Sequence, residues 1–209
     1  MQTEEALARA RHAMVAEQIV ARGIKEPRLL ECLRTIPRHR FIEPGLWADA
    51  YSDHPIPIGF NQTISQPYIV AFMTEKLKLH AEDRVLEIGT GCGYQTAVLA
   101  SLSREVSTIE IVPELLARAR AALQQLGIHN VRFHSGNGSL GWPEGGKFDA
   151  ILCAAAPKVI PEALTAQLAD GGRMILPVGE ESQRLIYIES VGGKQTSRVL
   201  LPVRFVPMI

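Results

Sequence analysis

The 209 residues, 46% apolar and 21% charged, suit one sizeable soluble domain with a small appended lobe. Lys and Arg number 22, as do Asp and Glu, so no net field draws nucleic acid or an anionic membrane, and any polymeric substrate must be read locally. No apolar run is long enough to span a bilayer, and the opening MQTEEALARARHAMVAEQ lacks the apolar core of a signal peptide.

Cys32, Cys92 and Cys153 are odd in number and widely spaced. They predict a reducing, cytoplasmic setting without a disulfide framework. His129 and His134 flank a predicted strand, and no histidine pairs with cysteine or carboxylate at metal spacing. No metal site is expected.

Thr3 with Glu4 and Glu5 starts a helix that Gly23 stops. Pro27 opens a second helix carrying Leu29, Leu30 and Leu33, ended near Pro37. Residues 38–63 are rich in Pro, Gly and aromatics and read as a long ordered loop, a feature that usually serves a site. Beyond Ser65, the residues Ile69, Phe72, Met73 and Leu77 share one helical face.

From Arg84 short apolar runs alternate with helical segments. RVLEIG, EVSTIE, VRFH, FDAILCA and GRMILPV read as strands; Gln95–Leu102, Pro113–Leu126 and Pro161–Leu168 read as helices. This alternation predicts an α/β fold: a Rossmann-like, doubly wound, mostly parallel sheet. RLIYIES, Gly192-Gly193 and SRVLLPVRFVP add an antiparallel edge at the C-terminal end. The expected division is an N-terminal helical lobe with the loop over 1–78, and a core over 79–209.

The segment VLEIGTGCGYQTAVLA is the most informative. Gly89-Thr90-Gly91-Cys92-Gly93 lets the backbone turn sharply and approach a ligand. The spacing is not that of a dinucleotide fingerprint, since Tyr94 takes the place of its third glycine, and no Lys-Ser or Lys-Thr follows to make a phosphate loop. Glu110 lies 21 residues beyond Gly89, at the end of the next strand. There a carboxylate can accept from both hydroxyls of an adenosine ribose, or it can merely cap the Pro113 helix.

SGNGSLGWPE follows the next strand, with Gly136, Gly138 and Gly141 making a tight loop. The oxygen of Asn137 can accept from an adenine amino group and its amide can donate to a ring nitrogen; the bland alternative is a turn asparagine. Ser139 is not an esterase nucleophile, because that motif needs glycine at Asn137. Ser65 has two local readings of its own. It suits a cap for the helix that Pro67 begins, and it suits a polar group facing a substrate. Cys92 stands at a helix start, where a thiolate is favoured, or is an inert small residue.

VLEIGTGCGYQTAVLA resembles motif I of the class I S-adenosylmethionine-dependent methyltransferases. With MVAEQIVARGI, IPRHRFI, AYSDHPIPIGFNQTISQP, GWPEGGKFDAILCAAAP, QLADGGRMILPVG and RFVP, the chain resembles the protein-L-isoaspartate O-methyltransferases over nearly its whole length. The TISQP segment upstream of motif I and the GWPE loop are the specific features. Asn61 stands where the family has glycine, Cys92 where it has serine, Asn137 where it has aspartate, and Cys153 where threonine or similar is usual.

The resemblance implies methyl transfer from S-adenosyl-L-methionine to the α-carboxylate of isoaspartyl residues in aged proteins and peptides, which starts repair through a succinimide. It implies Ser65 as the active-site residue. It implies cosubstrate contacts from Gln66, Pro67, Tyr68, Ile69, Glu87, Gly89, Thr90, Gly91, Gly93, Gln95, Glu110, Ile111, Asn137, Gly138 and Gln183. Isoaspartyl proteins are the expected partners, with no nucleic acid, membrane or metal, and the chain is expected to be a monomer. A groove for an extended peptide is expected along 52–65 and 178–183, closed by RFVP. Two other readings compete. One is an NAD-linked oxidoreductase with a variant glycine loop, and the other is a nucleotide binder that has lost turnover.

Overall fold

The computed structural model describes residues 3–208. Helix α1 (Glu4–Ala13) is capped by Thr3, whose hydroxyl accepts from the Ala6 amide at 3.2 Å. The chain continues through a wide π-type turn over Met14–Ile19 and a 3-10 turn to Gly23, which ends the run at φ 92°. Helix α2 (Pro27–Thr35) starts at a Glu26 carboxylate that caps the Leu29 amide, and buries Leu29 and Leu33.

The 38–63 stretch is more regular than a loop. Two 3-10 turns, Arg38–Phe41 and Pro44–Asp49, precede a hairpin of β1 (Ile56–Gly59) and β2 (Gln62–Ile64). Phe60 and Asn61 turn it, at φ 53° and 57°. Both central residues of such a primed turn need positive φ, which asparagine tolerates far better than phenylalanine. The hairpin escaped sequence reading because Phe-Asn is not one of the usual turn pairs.

Helix α3 (Pro67–Leu77) leads to a seven-stranded sheet. Its strands are β3 (Arg84–Ile88), β4 (Glu105–Glu110), β5 (Val131–Ser135), β6 (Phe148–Cys153), β7 (Leu168–Val178), β8 (Gln183–Val191) and β9 (Lys194–Val203). Helices α4 (Tyr94–Leu102), α5 (Pro113–Gln125) and α6 (Glu162–Ala166) follow β3, β4 and β6, while β5 runs to β6 through a loop with a 3-10 turn at Gly138–Leu140. The spatial order is β5-β4-β3-β6-β7-β8-β9, parallel from β5 to β7 and antiparallel from β7 to β9. The α/β expectation and its antiparallel edge are both met. Leu168, expected in a helix, opens β7 instead, because α6 is a single short turn and the strand begins before the Gly171-Gly172 kink.

Alternate residues of the central strands feed two cores. Val85, Leu152 and Ile175 join one with the N-terminal helices; Leu86, Ile151 and Met174 join the other with Leu164 of α6. That is the period of two expected of a sheet covered on both faces. The chain order reverses at β3, which has β4 on one side and β6 on the other. A crevice at the carboxyl ends of the strands is the physical outcome of such a reversal.

Candidate active site

The loop after β3 carries the crevice's floor. Gly89, Gly91 and Gly93 all have positive φ, at 91°, 53° and 91°. A Cβ on Gly93 would approach that of Ala119 to 3.0 Å, so glycine there lets α4 start against α5. A Cβ on Gly138 would meet Ile88 at 2.2 Å, so the loop after β5 closes on the strand only with glycine.

Glu110 ends β4 and lines the crevice. One carboxylate oxygen accepts from the Gly91 amide at 2.8 Å and the other from the Val112 amide at 3.0 Å. The residue therefore fixes the glycine loop and the approach to α5. A carboxylate has about four acceptor directions, so two remain for a pair of ribose hydroxyls. The capping alternative and the ribose reading are compatible.

Beneath the loop lies Glu87, fully buried. Its Oε2 accepts from Thr96 at 2.6 Å and Thr108 at 2.7 Å, and Thr90 Oγ1 stands 2.6 Å from Thr108 Oγ1. Oε1 has no partner. Burial pushes this carboxyl up to about 8 against the lowering effect of the two hydroxyls, so it is protonated at neutral pH. Glu87 does not reach the cavity wall; it supports Thr90, which does.

Two cavities share this end of the sheet. The first is lined by the hairpin residues 62–65, the glycine loop through Gln95, Glu110, Ile111, Gly136, Gly138 and Val206–Met208. The second is lined by Pro55, Thr63, Ser65, Gln66, Ile69, Ala154 and Pro202–Val206. Thr63, Ser65, Ala154 and Val206 belong to both.

Ser65 is not the helix cap. Gln66 occupies the N-cap of α3 without a side-chain cap bond, and Ser65 precedes it. Its hydroxyl has no hydrogen bond within the described protein, while its carbonyl accepts from Arg38 at 2.8 Å.

The other expected residues divide. Gly89, Thr90, Gly91, Gln95, Glu110, Ile111 and Gly138 converge on the first cavity; Gln66 and Ile69 face the second. Pro67 is buried at the first turn of α3, and Tyr68 stacks under the Arg22 guanidinium at 3.5 Å from the ring centre. Gly93 lies behind the wall as a packing point. Asn137 is exposed, and its oxygen already accepts from the Ser139 amide and hydroxyl at 2.9 and 2.7 Å, leaving only the amide to donate. Gln183 uses both ends of its side chain on Phe205, donating at 3.1 Å and accepting at 2.6 Å.

The 178–183 segment does not line the second cavity. Residues 202–206 do, held there by Gln183. The tail beyond is laced to Ala156, whose amide donates to Val206 and whose carbonyl accepts from Met208, both at 2.8 Å. Val206 through Met208 thus wall the first cavity, a contribution no local signal announced. Cys92 also lines that cavity, buried, with burial pushing its thiol up to about 11. It is a filled position rather than a thiolate.

The family model for protein-L-isoaspartate(D-aspartate) O-methyltransferase matches residues 9–209. The chain belongs to that family. It is 54% identical over 202 residues to a protein-L-isoaspartate O-methyltransferase of Trichlorobacter lovleyi, covering 96% of this chain and 93% of the relative. One of Anaeromyxobacter dehalogenans is 55% identical over 190 residues, covering 89% and 91%.

Among solved structures, a protein-L-isoaspartate O-methyltransferase superposes with a TM-score of 0.85 at 26% identity, covering 94% of this chain and 65% of that longer one. A Plasmodium falciparum structure described as a complex of this enzyme type with S-adenosyl-L-homocysteine gives 0.84 at 26% identity, covering 95% and 98%. Family membership sets aside the NAD-linked oxidoreductase. Tyr94, in place of the third dinucleotide glycine, is fully buried and packs edge-on against Phe41 at 5.5 Å.

Proposed function

We propose that this chain transfers the methyl group of S-adenosyl-L-methionine to the free α-carboxylate of L-isoaspartyl residues in proteins and peptides, with the cosubstrate in the first cavity and the peptide in the second. The observation that carries this assignment is the shared wall: Thr63, Ser65, Ala154 and Val206 line both cavities. An in-line displacement needs donor and acceptor to meet end to end, and two cavities joined at one wall provide that meeting point.

The residues present suit the cosubstrate. Glu110 keeps two acceptor directions for a ribose, and Ile111 offers an apolar side chain 40% exposed at the cavity for a purine face; Asn137, outside the lining but between Gly136 and Gly138 that belong to it, keeps an amide donor. The bound sulfonium supplies an activated methyl group. Every other requirement falls on the chain. The acceptor carboxylate is ionised at neutral pH, so no general base is needed. The chain must orient it and strip its water, and such orientation is worth effective molarities of about 10⁵–10⁸ M. Ser65 offers one otherwise unused hydroxyl to the carboxylate, a light grip that does not over-stabilise the charged ground state.

The isoaspartyl linkage is a main-chain feature, so the groove formed by Pro55, Gln66, Ile69 and Pro202–Phe205 must recognise backbone rather than a particular sequence. A monomer acting in the cytoplasm completes the reading, in keeping with three free cysteines and a balanced net charge. Tritium transfer from labelled S-adenosylmethionine to an isoaspartyl peptide, with the matching aspartyl peptide as control, tests the assignment. Equal labelling of both peptides, or of neither, would sink it.

A further inference from the structure

Arg38 is wholly removed from solvent and is the bulkiest side chain so placed. It follows Pro37 at the head of a 3-10 turn. Its Nε donates to the Ala50 carbonyl and its Nη2 to the Ser65 carbonyl, each at 2.8 Å. Its Nη1 has no partner among the described residues. The guanidinium carbon stands 5.0 Å from the centre of the Tyr94 ring, and the Tyr94 hydroxyl is likewise buried without a partner.

The ionisable groups near enough to act on Arg38 are Tyr94, Cys92 and Tyr51. Burial raises all three, so none carries negative charge at neutral pH. Arg173 makes the contrast plain: it too is buried, but Asp83 lies 2.8 Å from its Nη2. A buried cation without a counter-charge is costly to keep. In Arg38, among the described residues, that cost is offset by two carbonyls and the face of an aromatic ring.

The place of this charge suggests its use. Ser65, whose carbonyl Arg38 holds, lines both cavities; Tyr94 and Cys92 line the first. The unmatched guanidinium thus lies behind the wall where the cavities meet. Both ligands of the methyl-transfer reading, on which this inference rests, carry a carboxylate, and the cavities assigned to them meet at that wall. We propose that Arg38 is the buried counter-charge for a ligand carboxylate, acting across the Ser65 wall while its fork holds the Ser65 backbone in place. It is a positioning residue, out of direct contact with the reacting atoms. A charge set back behind a wall attracts an anion without the bidentate clamp that would hold the ground state too tightly. If the anion is the isoaspartyl carboxylate, methylation removes its charge, and the attraction to the product ends with it.

The experiment uses the full chain as wild type, Arg38→Gln and Arg38→Lys, with near-UV circular dichroism to check folding. Calorimetry measures the binding of S-adenosylhomocysteine, of 5′-methylthioadenosine (which lacks the carboxylate) and of an isoaspartyl peptide, beside KM and kcat. If the cosubstrate supplies the anion, Arg38→Gln weakens S-adenosylhomocysteine tenfold or more and leaves 5′-methylthioadenosine within threefold. If the peptide supplies it, peptide Kd and KM rise tenfold or more while S-adenosylhomocysteine is unchanged. In either case Arg38→Lys recovers most of the loss.

Three results overturn the proposal: a folded Gln variant binding both carboxylate ligands within threefold of wild type, a Lys variant as impaired as the Gln variant, or a fall in kcat alone. Should the Gln variant not fold, the wild type decides. It must bind either the isoaspartyl peptide or S-adenosylhomocysteine at least tenfold more tightly than the corresponding methyl ester, and equal binding within both pairs overturns the proposal. A wild type that binds S-adenosylhomocysteine but methylates no isoaspartyl peptide would instead defeat the functional reading, leaving the cosubstrate comparison to judge Arg38.

Discussion

Replacing Ser65 by alanine separates its two roles cleanly, because the structure removes one of them beforehand. A serine at the N-cap contributes about 1 kcal/mol to its helix. Ser65 does not hold that position: Gln66 does, and the Ser65 hydroxyl bonds to nothing within the described protein. The bond that matters to the fold comes from Arg38 to the Ser65 carbonyl, which alanine keeps. Stability should therefore change by no more than about 0.5 kcal/mol, as for a substitution that disturbs no buried feature. S-adenosylhomocysteine should bind within threefold of wild type. The isoaspartyl carboxylate, by contrast, loses its orienting hydroxyl, and kcat/KM should fall tenfold or more, about 1.4 kcal/mol of barrier. The assay is methyl transfer to an isoaspartyl peptide, normalised to folded protein by calorimetric titration of the ligand. Full turnover per binding site would refute the role, and a large drop in Tm would refute the reading of the helix start.

Glu110→Ala should weaken S-adenosylhomocysteine by about 1.5–3 kcal/mol for each charged hydrogen bond lost. It should also lower Tm, because the Gly91 and Val112 amides lose their acceptor; a variant that stays fully stable and binds normally would remove Glu110 from the site. For Glu87 the folded pKa lies above the ordinary one. Folding therefore takes up a proton, and apo-protein stability falls as pH rises from about 4.5 to about 8. Chemical denaturation across that window should show stability falling more steeply with pH in the wild type than in Glu87→Gln, the difference belonging to Glu87; parallel curves would count against a protonated Glu87. Cys92, buried with its thiol pushed up to about 11, should resist mild alkylation at neutral pH until the protein unfolds. Rapid labelling blocked by S-adenosylmethionine would return it to the thiolate reading.

The chain itself announces the sheet, the glycine turn and the carboxylate that follows it. Each rests on contacts close in sequence: alternating apolar residues around Val85 and Leu86, three glycines at positive φ where most side chains are strained, and Glu110 two residues from the amide it caps. The TISQP segment marks Ser65 only through family likeness. Locally it argues as well for a cap, and the N-cap falls to Gln66 because Pro67 begins the helix. Other parts of the site become visible only in three dimensions. Gln183 faces Phe205 across 22 residues, Arg38 reaches Ser65 across 27, and Met208 returns to Ala156. Such pairings leave no periodicity in the chain. They depend on sheet order and on which buried donor lacks a nearer acceptor, and packing alone decides both.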